Sequence, residues 1–133
     1  MQSELQTSVS KRALWGARIL GGLPALFLLL DGAMKLFKPA FVVDATVKLG
    51  YSESVIIPIG VVLLVCTILY LIPATTVLGA ILLTGYLGGA VATHVRVGEG
   101  LFPIVFPVIF AALIWFALYL CEPRLRILIP LRK

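Results

Sequence analysis

Two runs without charge constrain this chain more than any other feature. From Ser54 to Val95 there are 42 consecutive residues without Asp, Glu, Lys or Arg, and from Gly100 to Cys121 another 22. An apolar helix needs about 20 residues to cross a hydrocarbon core about 30 Å thick, so the shorter run fits one crossing and the longer fits two. The longer run is punctuated at Pro73-Ala-Thr-Thr76, where proline cannot continue the helical ladder and the residues after it suit a turn. So short a connection makes its two helices antiparallel neighbours. The expected spans are 55–72, 77–93 and 104–120. Ser54 is the candidate N-cap of the first of these, with Pro58 in its first turn, where no backbone bond is lost. Pro103 and Pro107 open the last, and Pro107 is placed to kink it.

Composition agrees with a membrane solvent. Charged residues make up 13% of the chain, against about 25% in ordinary soluble domains, and the mean hydropathy is +1.12. A water-soluble globule would need polar residues to cover its surface, and these runs have none to offer. Disorder is excluded on the same ground, and 133 residues leave no room for a separate soluble domain. The net charge of +5 does not indicate nucleic-acid binding, because no segment could form a basic, water-facing domain.

A further span must carry charge. Between Arg18 and Asp31 lie 12 uncharged residues, about 18 Å of helix, which is too short for the hydrocarbon core. A helix over 13–36 solves this if Arg18 snorkels to one interface while Asp31 and Lys35 sit near the other. Reading Lys11 and Arg12 as the basic region of a signal peptide and Ile19 to Leu30 as its apolar region is less satisfactory. Cleavage after Ala33 would put Asp31 where a small neutral residue is wanted. Four spans put both termini on one side, with Lys11, Arg12, Arg124, Arg126, Arg132 and Lys133, and with Arg18 just inside the membrane. Lys35, Lys38, Lys48 and Arg96 fall on the other side, so the positive-inside rule expects cytoplasmic termini in a cell (inner or plasma) membrane.

The stretch 39–50 has Pro39 at a helix start and Gly50 at a stop. Phe41, Val42, Ala45 and Leu49 share one face, and an Asp44/Lys48 pair lies at i, i+4 on the other. It reads as a short helix lying in the interface, either a cover for the bundle end or a lipid-binding element. The expected fold is all-α, a single-domain integral membrane four-helix bundle with this interfacial helix between spans one and two.

Membrane helices associate where small residues let their backbones approach. Span one offers Ala13, Ala17, Gly21 and Ala25; span three offers Ala80, Thr84, Gly88 and Ala92, with a second ridge of Gly85, Gly89 and Thr93. Both faces are expected to pack inside the bundle, while the GxxxG of Gly85 and Gly89 leaves oligomerisation open.

Spans one and three end on the same side, so Asp31 and Lys35 arrive at a similar depth to Thr93, His94 and Arg96. Tyr86 lies two turns below His94 on nearly the same face. Together these six form a candidate polar pocket, with Asp31 the counter-ion for Arg96 or Lys35. The plainer alternative is an i, i+4 pair beside residues that mark where a helix emerges into water.

His94 is the only histidine, so a haem held by two histidines cannot form within one chain and a zinc site would lack its usual ligands. Cys66 lies about 9 Å inside the helix end at which Cys121 sits, too far in depth for a disulfide, and buried packing is the better reading of Cys66. Arg18 and Glu122, at that same end, are expected to clamp spans one and four. There is no GxGxxG, no Walker loop and no nucleophile with its base, so neither a metal site nor a catalytic constellation is expected.

Four stretches resemble the DoxX-like family: Leu30-Asp-Gly-Ala-Met-Lys-Leu36, Leu49-Gly-Tyr51, the third-helix run from Thr84-Gly-Tyr-Leu-Gly-Gly-Ala90 through Val-Ala-Thr-His-Val-Arg-Val-Gly98, and Glu122-Pro-Arg-Leu-Arg126. The resemblance covers roughly Gly16 to Pro130. It implies a small four-helix bacterial membrane protein, in a family where some members are named for quinol oxidation or thiosulfate:quinone oxidoreduction. By the same resemblance the chain is expected to be a non-catalytic or quinone-associated subunit of a membrane redox assembly. Quinone is then the implied ligand, and other membrane or redox proteins the partners beside the bilayer. His94, Arg96 and Asp31 would hydrogen-bond the head group, with Tyr86 stacked beneath it. The competing reading is a structural or assembly protein with no ligand. Small-molecule transport ranks below both, because no charge or broken helix lies at mid-membrane.

Overall fold

The computed structural model describes residues 11–132. Its helices are α1 (Lys11–Phe37), α2 (Ala40–Lys48), α3 (Ile56–Leu71), α4 (Thr76–Val97), α5 (Leu101–Cys121) and α6 (Leu125–Leu128), with 3-10 turns at Glu53–Val55 and Pro73–Thr75. Four of them are long and apolar enough to cross a membrane: α1, α5, and α3 and α4 each counted with the 3-10 turn that leads into it (Glu53–Leu71 and Pro73–Val97). They form a ring in which α1 and α4 each pack against both α3 and α5 and face one another across the diagonal. The bundle has two distinct ends. One carries the start of α1 and the end of α5, and the other carries α2.

Apolar residues occur all round these helices, and packing uses only one side of each. Leu28, Leu63, Leu83, Leu87, Ile114 and Leu118 turn inward and are buried, while Leu23, Val61, Ile81 and Ile109 point outward and are exposed. An apolar exterior of this extent is what a bilayer covers. Threonine hydroxyls inside the bundle are satisfied within their own helix: the fully buried Thr67 donates to the Leu63 carbonyl at 2.7 Å.

Several local expectations differ from what the chain does. α4 continues through Val97, four residues beyond 93, because Gly98 supplies the left-handed C-cap (φ +75°) that ends it there. α5 starts at Leu101, which leaves Pro103 in its first turn and Pro107 inside the helix. Ser54 does not cap α3; its hydroxyl pairs with that of Ser52 at 2.8 Å inside the 3-10 turn. The expected Arg18–Glu122 clamp is absent among the described residues. Arg18 lies over the Trp15 ring at 5.8 Å, and the Glu122 carboxylate accepts the Arg124 backbone N–H at 3.2 Å. That end is closed instead by Arg126, whose guanidinium donates to the Tyr119 and Leu120 carbonyls, each at 3.0 Å, where a helix end leaves acceptors free.

The small-residue faces divide. Ala17, Gly21 and Ala25 of α1 are buried. On α4, Ala80 and Thr93 are buried, but Thr84, Gly85, Gly88, Gly89 and Ala92 between them are exposed, and a Cβ built at Gly85, Gly88 or Gly89 meets nothing within 4 Å, so that glycine stretch does not pack inside the bundle. The contacts lie elsewhere. A Cβ at Gly79 would meet the backbone of Tyr70, and Gly32 and Gly60 face each other so closely that one built at Gly60 would stand 3.0 Å from the Gly32 carbonyl oxygen. The reason lies in the connection: the Pro73–Thr75 turn forces α3 and α4 together at Gly79 and turns Ala80, Leu83 and Leu87 inward, which leaves the ridges to either side. Thr84 accepts the Trp115 indole N–H at 2.6 Å and so ties α5 to α4.

Candidate functional site

At the α2 end the four long helices and α2 line a cavity of about 720 Å3 that is open on one side. The end of α1 brings in Asp31 and Lys35, with Phe27 one turn deeper. α4 contributes Tyr86, Thr93 and His94 together with Gly85 and Gly89; α3 contributes Pro58, Ile59 and Val62; α5 contributes Phe106 and Phe110. α2 lies across this end and turns Val42 and Thr46 toward the cavity, both of them buried. The chain thus supplies an apolar, partly aromatic wall and a group of polar side chains.

The polar groups are fixed by short hydrogen bonds. Lys35 Nζ donates to Asp31 Oδ1 at 2.7 Å, as the i, i+4 spacing dictates, with the Lys35 side chain 14% exposed. Thr93 donates to the Gly89 carbonyl at 2.8 Å, which makes the Tyr51 hydroxyl, 2.9 Å from Thr93 Oγ1, the donor to it. His94 Nδ1 sits 2.8 Å from Glu99 Oε2. Tyr86 also lines the cavity, and its hydroxyl makes no hydrogen bond among the described residues.

Five of the six residues expected to form a polar pocket therefore line one cavity: Asp31, Lys35, Tyr86, Thr93 and His94. Arg96 does not. Its guanidinium donates to the Leu49 carbonyl at 2.8 Å, at the C-cap of α2, because the free carbonyls of a helix C-terminus attract a cation. Asp31 consequently pairs with Lys35 and not with Arg96. Arg96 ties the end of α2 to α4, Tyr51 ties the loop after α2 to α4, and Lys38, just before α2, bonds Glu53, beyond it, at 3.1 Å. The Asp44/Lys48 pair expected on the far side of α2 is not formed among the described residues.

Two members went unanticipated. Tyr51 follows Gly50, whose φ of +96° turns the chain back toward α4, and Glu99 follows Gly98, which turns the chain back on His94. The signal for both was a glycine before a polar residue at a helix end. The aromatic wall is a third element not anticipated. Phe27 meets Phe106 and Phe110 edge-on, with centroids 5.5 and 5.0 Å away, and closes the seam between α1 and α5.

Hydrogen-bond donors beside an aromatic wall can hold a ring that carries acceptor oxygens. A model of the DoxX-like family matches residues 19–117 of the chain. No curated protein and no solved structure matches it.

Proposed function

The chain belongs to the DoxX-like family, and from that premise we propose that this multi-pass membrane protein holds a quinone in the cavity beneath α2, as a non-catalytic subunit of a membrane redox assembly. The observation that carries this reading is the cavity itself. Its volume of about 720 Å3 falls within the roughly 300–1,000 Å3 of small-molecule sites. Its lining joins apolar walls to a few convergent polar groups, as a lipid-soluble ring with carbonyl oxygens requires. In this reading the free Tyr86 hydroxyl donates to one carbonyl oxygen, Lys35 approaches it while held by Asp31, and Phe27, Phe106 and Phe110 contact the ring. A partner subunit carries the electrons, and this chain holds and orients the quinone. The lysine and arginine distribution supports cytoplasmic termini in the inner membrane, which sets the cavity near the opposite face.

One observation favours the competing reading of a structural or assembly protein. Lys35, His94 and Arg96 all have partners within the chain, as residues that only fix helix register would. Purification in mild detergent followed by organic extraction separates the two. The wild-type chain is expected to release quinone in roughly stoichiometric amount, and Tyr86→Phe, which loses one hydrogen bond, to retain about tenfold less. Recovery of neither quinone nor a co-purifying redox protein would overturn the proposal in favour of a structural role.

A further inference from the structure

Gly85 and Gly89 both line the cavity, and a Cβ built at either meets nothing within 4 Å. Gly88, on the same stretch of α4, is equally open but lies outside the cavity. Openness is common to all three, so what sets Gly85 and Gly89 apart is their place in the cavity wall. The geometry of the neighbours shows what that place offers. α3 and α4 touch at their base, where Gly79 meets the backbone of Tyr70, and toward the α2 end α4 presents bare backbone to a cavity whose far side carries Phe27 of the diagonal helix α1. Backbone without a side chain is where a flat group can approach most closely.

Resting on the quinone reading above, we infer that Gly85 and Gly89 set the size of the ligand the cavity accepts. They form the bare wall on which a ring lies, and a side chain at either position excludes it. The exposed glycine ridge of α4 is then a surface of the binding site, and helix packing is left to Gly79 and Ala80.

The test compares the full-length wild-type chain with Gly85→Leu, Gly89→Leu and Gly88→Leu, with Gly85→Ala as a milder variant. All are purified in the same detergent, checked by thermal unfolding, titrated with ubiquinone-1 and extracted for lipids. Gly88→Leu is expected to bind ubiquinone-1 as the wild type does, Gly85→Leu and Gly89→Leu about tenfold or more weakly, and Gly85→Ala in between. Equal binding by all five proteins overturns the inference and leaves the quinone reading standing. If the wild type neither binds ubiquinone-1 nor releases quinone, the quinone reading falls and the lipid extracts decide this one. A different ring-bearing lipid that is present in wild type and Gly88→Leu but lost from Gly85→Leu and Gly89→Leu supports the wall. Extracts that do not differ among the variants overturn it.

Discussion

Gly79→Ala is expected to cost about 3 kcal/mol of stability, the upper part of the range for overpacking a well-filled core. The added Cβ would meet the backbone nitrogen and Cα of Tyr70, and backbone cannot swing aside as the tip of a side chain can. α3 and α4 would have to part at the turn that joins them, and Ala80 and Leu83, both fully buried on the same face, would lose their packing with them. Alanine's better helix propensity, about 1 kcal/mol, offsets only part of this. Gly88→Ala gains the same propensity with nothing in the way and is expected to be neutral or slightly stabilising. Thermal unfolding of the two variants in one detergent tests the contrast. Equal melting temperatures would show that α3 and α4 are not in backbone contact at Gly79.

The second large effect concerns the ion pair at the cavity. Asp31→Asn leaves the Lys35 ammonium, 14% exposed, without its carboxylate partner at 2.7 Å. A charge stranded in that way is expected to cost about 2 kcal/mol, below the figure for a fully buried pair because the Asp31 side chain is 36% exposed. Lys35→Met made in the Asp31→Asn background is expected to recover most of the loss, since an apolar side chain has no unmet charge. The double-mutant cycle measures this directly, and a coupling near zero would mean that water or lipid head groups satisfy Lys35 already.

How much of this was legible in the sequence depended on the kind of signal. The absence of charge between Ser54 and Val95 and between Gly100 and Cys121 is a statement about solvent, and solvent determines whether a helix can cross. Asp31 with Lys35 was legible because i, i+4 spacing is local, and the meeting of Asp31 with Thr93 and His94 in one cavity because alternating spans set their depth. The packing role expected of the α4 glycines fails because GxxxG reports only that residues are small. The face that packs is chosen by the connection at Pro73–Thr75, which pins the helices at Gly79. Arg96 joins the expected cluster by depth alone, yet its partner is the Leu49 carbonyl at the end of α2, an acceptor that exists only once α2 has formed. Glu99 and Tyr51 depend on the turns at Gly98 and Gly50, whose positive φ values fold the chain back in ways that spacing does not encode.

The central claim is that the cavity beneath α2 holds a quinone, and photolabelling with an azido-substituted ubiquinone tests it most directly. After irradiation of the membrane-embedded chain and mapping by mass spectrometry, the label is expected on peptides from the end of α1, around Phe27 to Lys35, and from α4, around Tyr86 to His94, and to be removed by excess ubiquinone-1. Label confined to outward-facing residues such as Leu23, Val61 and Ile81, or label that excess ubiquinone-1 does not displace, would contradict it.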